Sequence, residues 1–304
     1  MATLDRVDSV LDYEEPIDDK PLVTTNAAPP DEERVEATLL SLPAELRIAI
    51  LEYVFASNSQ LHDAFRNRSI PRGITLNEAY TVTPSMHPLL VCHQLYEDGT
   101  LVALNRTSFV VNNLFIANNI PQRLEVLHPK QLAVIRLITC IADARFLRTM
   151  NDWSRHPFGL PALNLDTLTL VLHRSSRWHY LFDFTAEITK LLRNLHGVRR
   201  FVFVRNQALV KGSFKTWYNR LIGLMMKVDH HERYNHNTVP RPESVWWQWT
   251  YDDVAQSFTL EALPPKPLMM EEVYMEQMQP LVEQLRVSVE GEEWNPDPRS
   301  RNGF

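Results

Sequence analysis

The residues whose types come closest to doing chemistry lie at 230–236, His230-His231-Glu232-Arg233-Tyr234-Asn235-His236. A zinc-protease helix carries two histidines four apart on one face, with a glutamate after the first. Here His231 and His236 are five apart, which turns the second about 140° away from alignment on a helix. The cluster therefore reads as the last turn of a helix, where histidine complements the negative end of the dipole. Other catalytic signatures are also missing. There is no G-x-S-x-G nucleophile elbow, no P-loop and no G-x-G-x-x-G turn. Glycine is scarce, at 8 of 304 residues. Asp252-Asp253 pairs two carboxylates, but between two alternating runs they read as turn formers. No catalytic residue, cofactor or metal ligand is expected, and the chain reads as a non-enzyme.

Two further groupings could bind a ligand. Residues 190–227 hold nine basic side chains and no acidic one, with Trp217 and Tyr218 among them. Arg199, Arg200, Arg205, Lys211, Lys215 and Arg220 form the candidate basic patch. Cations interleaved with aromatics can hold phosphates and stack bases. Against nucleic acid, the chain beyond residue 36 has a net charge of only +2. Nucleic-acid binding is therefore the alternative reading, and the acidic tail at residues 1–36 or an acidic partner fits the patch at least as well. Trp246, Trp247 and Trp249 are the second grouping. On a strand 247 and 249 share one face and 246 takes the other. They read as either a ligand platform or a cover over the end of the core.

Composition narrows the class. Hydrophobic residues make up 44% and charged residues 22%, the balance of a globular protein with a sizeable core. Cys92 and Cys140 lack neighbouring cysteines, so neither a disulfide scaffold nor a cysteine zinc site is expected. Free thiols suit a reducing compartment, cytoplasmic or nuclear. No signal peptide and no membrane span is expected. Residues 1–36 carry 11 acidic and 3 basic side chains and few aromatics, so they read as a disordered acidic tail. Residues 290–304 read as a flexible tail.

The elements follow from periodicity. Leu42-Pro43-Ala44-Glu45 opens a helix: proline suits its first turn and Glu45 complements the dipole. Leu46, Ile50, Leu51, Val54 and Phe55 recur at spacings of three and four. Residues 57–87 read as an insertion loop with room for one short element, and a second helix is expected from about 89 to 104, with Gly99 as a weak point. Beyond it the pattern alternates. Strands are expected at 108–111, 132–141, 165–172 and 200–204. Helices are expected at 115–127, 144–153, 180–196 and 214–234. This predicts α/β strand–helix units in a mixed, mostly parallel sheet. A hairpin is expected at 245–263, then an apolar pattern over 269–289 broken by Pro280. LAVIRLITC (132–140), LDTLTLVLH (165–173) and VRRFVFVRN (198–206) recur every 33 residues, an irregular leucine-rich-repeat-like pattern.

Two motifs carry a resemblance. Leu42-Pro43-Ala44-Glu45-Leu46 begins the first helix, and Val91-Cys92-His93-Gln94-Leu95-Tyr96 begins the second. With Asn105-Arg106-Thr107-Ser108-Phe109 after them, the chain resembles the fungal F-box-like proteins over 42–112. Residues 37–112 would be the F-box-like helical region and 113–289 the α/β region. The resemblance implies docking on a Skp-type adaptor of a cullin-type ubiquitin ligase, with a protein substrate held further along the chain. It implies a docking and packing face of Leu42, Pro43, Leu46, Ile50, Leu51, Val54, Val91, Cys92 and Leu95. The gap of 49 positions between Leu42 and Val91 is longer than a compact F-box has. The face is therefore either a docking surface or internal core.

Overall fold

A computed structural model describes residues 38–58, 64–68, 73–174, 184–210, 213–235, 237 and 239–294. The acidic tail expected at 1–36 lies outside the described residues. The chain divides into residues 1–41 and a second, much larger unit, residues 42–304. In the smaller unit the described part is a 3₁₀ turn, Leu39–Ser41.

The larger unit is a mixed α/β fold on a six-stranded sheet. Its strands are β3 (Ser108–Val111), β4 (Leu137–Ala142), β5 (Leu165–Leu172), β6 (Val198–Val204), β7 (Trp246–Asp252) and β8 (Ser257–Leu263). The order is β3-β4-β5-β6-β8-β7. The first four are parallel, and the β7–β8 hairpin joins antiparallel to β6. The expected mostly parallel sheet is thus present. The central strand β5 buries Leu168, Leu170, Val171 and Leu172 completely, so its second half is covered on both faces, while Asp166 near its start is exposed.

One sheet face carries the main core. It packs Cys140, Leu168, Leu170, Phe201, Phe203, Phe258 and Leu260 under helices α4 (Ala144–Thr149), α5 (Thr185–Leu192) and α6 (Phe214–Tyr234). Phe203, Phe214, Trp217 and Phe258 form its aromatic centre, with ring centroids 4.7–5.8 Å apart. The 33-residue period survives between β5 and β6, where Leu165 faces Val198. It fails between β4 and β5, where Leu137 faces Thr167, 30 positions on. The reason is that 132–134 belong to a helix, α3 (Pro129–Val134), and the strand starts only at Leu137.

Other elements differ from expectation for identifiable reasons. The insertion 57–87 contains a hairpin, β1 (Phe65–Arg68) and β2 (Gly73–Leu76). It covers part of the second sheet face, with Leu76 packed on Val171 and Val204. Asn206, in left-handed backbone after β6, holds it there: its Oδ1 accepts from the Leu76 N–H at 2.9 Å. The helix expected at 115–127 is two short turns, Leu114–Ala117 and Ile120–Leu124. Pro121 cannot continue a helix through the preceding turn, and the Asn118 and Asn119 side chains cap carbonyls of that turn. Of the helix expected at 180–196, residues 180–183 lie outside the described residues and 185–192 are helical. Pro280 breaks nothing: α7 runs unbroken from Glu271 to Trp294, five residues into the expected tail. Tyr274, Met278, Leu281 and Leu285 pack it on the core, while Pro280 faces solvent.

Helices α1 (Ala44–Asn58) and α2 (His93–Arg106) pack against each other. Gly99 is no weak point. It is the crossing point, where an added Cβ would stand 2.9 Å from Leu89 Cδ2 and 3.0 Å from Leu51 Cδ1. Gly99→Leu is expected to destabilise the fold by about 1–3 kcal/mol through overpacking. Gly99→Ala should cost much less, because alanine regains about 1 kcal/mol of helix propensity. Urea unfolding of the two variants checks the order.

Candidate partner-binding surface

Helix α1 has two distinct faces. Arg47, Leu51 and Phe55 form a buried line at a spacing of four, with exposures of 8%, 3% and 1%. Leu46, Ile50 and Tyr53 form a second line, rotated by about 100°, and they are 53%, 41% and 78% exposed. The segment leading into α2 adds Leu90 and Val91, at 75% and 72%. The expected face is therefore split. Leu46, Ile50 and Val91 are outside, and Pro43 is exposed beside them. Leu51 and Leu95 are inside, a correction to their place on that face; Leu42, Val54 and Cys92 are half-buried. Tyr53 and Leu90 belong to the exposed group and were missed. Their spacing from Ile50 and Val91 is visible in the sequence, but their exposure is not.

Polar bonds fix this face. Arg47 Nε donates to Asp98 Oδ2 at 2.7 Å, and its Nη1 donates to the Leu42 carbonyl. The arginine of the first motif thus clasps the second motif's helix and the chain before its own. Asn105 Nδ2 donates to the Val134 carbonyl at 3.2 Å and ties the end of α2 to α3. The exposed line is held on a packed pair of helices, with Arg47 behind it bonded to Asp98 and the Leu42 carbonyl.

The basic residues do not converge. Arg199 and Arg200 are exposed on β6, and Arg200 stands 3.9 Å from Glu261. Arg205 is buried, a correction to its place in a surface patch: its Nε donates to the Ala208 carbonyl and its Nη1 to Gln256 Oε1. Lys215 is on α6, 3.6 Å from Asp253. Arg220 is exposed further along α6, and Lys211 lies outside the described residues.

His230 pairs with Glu271 at 2.9 Å, and His236 lies outside the described residues. Among the described residues no group of three His, Cys, Asp or Glu side chains could hold a metal ion. Trp246, Trp247 and Trp249 are all buried. The Trp246 and Trp249 rings meet at 5.7 Å despite their opposite parity along the strand. No described helix is long and apolar enough to cross a membrane.

The densest charge cluster was invisible in the sequence. Arg233 is fully buried, as are Asp229 and Glu243 beside it. Arg233 Nε donates to Asp229 Oδ2 at 2.9 Å, and its Nη2 donates to Glu243 at 2.6 and 2.7 Å. Nη1 and Nη2 also donate to the carbonyls of Pro267 and Lys266. Arg193 and the Tyr274 hydroxyl complete the shell of Asp229. No spacing rule links positions 193, 229, 243 and 274. The cluster pins the loop before α7 and the first turn of α7 to α6, so its role is structural.

The cysteines differ. Burial pushes the Cys140 thiol far above its ordinary value, and the side chain is inaccessible. Cys92 is only half-buried. Titration with a thiol reagent should find one reactive group in the native protein, Cys92, and two after denaturation. Two native thiols, or none, would contradict this placement.

No family model, no curated protein and no solved structure matches this chain.

Proposed function

We propose that the protein is a non-enzymatic interaction subunit whose α1–α2 face docks on a Skp-type adaptor, making it a substrate receptor of a cullin-type ubiquitin ligase. One observation carries the reading. Leu46, Ile50, Tyr53, Leu90 and Val91 stay exposed on a helix pair that already has its own buried core of Leu51, Phe55, Leu89 and Leu95. Exposed apolar side chains on a rigid helical face favour a partner. The motif resemblance over 42–112 supplies the class of partner. The work of such a receptor would be done in the cytoplasm or nucleus.

The test is reconstitution. Tagged full-length protein is mixed with purified Skp-type adaptor, and the complex is followed by co-purification and calorimetry. A one-to-one complex is expected. No complex at micromolar concentrations would overturn the adaptor reading and leave α1–α2 as a structural unit.

A further inference from the structure

Between β8 and α7 the chain runs Pro264-Pro265-Lys266-Pro267-Leu268-Met269-Met270, with neither helix nor strand. Proline fixes its own φ at about −65° and keeps the residue before it extended. Leu263, Pro264 and Lys266 each precede a proline. The run is therefore held in extended backbone of the polyproline II kind, which has three residues per turn. Burial follows this period. Lys266 and Met269, three apart, are half-buried, while Pro264, Pro265, Pro267, Leu268 and Met270 are exposed. One ridge of the three-sided helix thus faces the body. Two face outward, Pro264 with Pro267 and Pro265 with Leu268.

The inward ridge is fastened along its length. The Lys266 N–H donates to Glu243 Oε1 at 3.2 Å, and the Lys266 ammonium lies 3.9 Å from the centre of the Trp246 ring. The carbonyls of Lys266 and Pro267 accept from Arg233 at 3.1 and 3.0 Å. The Met269 carbonyl accepts from the Tyr234 hydroxyl at 3.1 Å. Besides holding α7, the buried Arg233–Glu243 pair keeps a preformed proline ridge at the surface.

We propose that residues 264–268 are a docking motif for a partner domain whose aromatic-lined groove reads polyproline II segments. The segment itself sets the partner's chemistry. Pro264, Pro267 and the Pro265–Leu268 ridge offer the apolar edges that such grooves of tryptophan and tyrosine accept. A segment ordered before binding loses little conformational entropy when it docks, and here the body bonds supply that order. Lys266 is turned onto Trp246, so recognition falls to the proline rings and Leu268. This docking is independent of whether α1–α2 binds an adaptor.

The test passes tagged full-length protein over an array of immobilised SH3- and WW-type domains and measures each captured domain by calorimetry. At least one domain should bind. Binding should weaken at least tenfold in Pro264→Ala combined with Pro267→Ala, and also in Leu268→Glu, which changes an exposed side chain and keeps the test open should the first variant misfold. A synthetic peptide of residues 261–270 should compete for the same domain. Pro280→Ala, at an exposed proline on α7 outside the motif, should bind as wild type does. Absence of capture across the array would overturn the proposal. So would capture that survives both variants at wild-type strength, or that Pro280→Ala abolishes.

Discussion

Arg233→Met should destabilise the protein by about 3–5 kcal/mol, because it removes the cation that lets two carboxylates stay buried. The guanidinium is fully buried and makes bonds to Asp229, Glu243 and the carbonyls of Lys266 and Pro267. Methionine fills a similar volume, so the loss reports the uncompensated charge and not a cavity. Arg233→Lys should recover little, since an ammonium cannot reproduce the fork that reaches both acids. Combining Arg233→Met with Asp229→Asn and Glu243→Gln should recover part of the loss by removing the stranded charge. Urea unfolding measures all three. A cost below about 1 kcal/mol for Arg233→Met would mean that water reaches the cluster.

The same cluster sets a pH dependence. Burial by itself raises the Asp229 carboxyl, but its hydrogen bond in the cluster with Glu243, the charges of Arg233 and Arg193, and the Tyr274 hydroxyl outweigh burial and hold it below its ordinary value. A depressed folded value stabilises the native state above the unfolded value, about 3.9, and this stability is lost as pH falls through the folded value. Burial and the neighbouring Asp229 push Glu243 the other way. The stability gap between wild type and Asp229→Asn should therefore shrink as pH drops below about 4. A gap that widened there would reverse the assignment.

Leu46→Asp combined with Ile50→Asp should leave the fold intact and abolish adaptor binding. Both side chains are exposed, so the change in stability should stay within about 0.5 kcal/mol per site. If they anchor the proposed interface, each should cost about 2 kcal/mol of binding, roughly thirtyfold, because a charge would be driven into an apolar contact. Leu51→Asp is the contrasting variant. At 3% exposure its carboxylate would face Phe55 and Leu89, and the fold should lose more than about 4 kcal/mol. A double variant that folds and still binds would remove Leu46 and Ile50 from the interface. A double variant that unfolds would show α1 to be core on both sides.

Local pattern was enough wherever an element answers to its own residues. Ser108–Val111, Leu165–Leu172, Phe214–Tyr234 and the Trp246–Leu263 hairpin follow from alternation, helical spacing and the Asp252 turn, whose Oδ1 caps Val254 and Ala255. The mostly parallel sheet follows because strands alternate with helices along the chain, and a helix is what returns the chain to pair the next strand in parallel. Tertiary structure decided the rest. It made Gly99 a crossing point, since glycine's cost to a helix is local but its benefit depends on Leu51 and Leu89. It kept α7 whole through Pro280, since packing on α6 outweighs one lost backbone bond. It turned an apparent loop into a hairpin whose Leu76 has a sheet face to cover. For α1, the sequence alone determined that Leu46, Ile50, Leu51 and Phe55 crowd one side of a helix. Only the position of α2 decided which of them are buried. An apolar stripe wider than its neighbour leaves a remainder exposed, and the width of that neighbour is not written in the stripe.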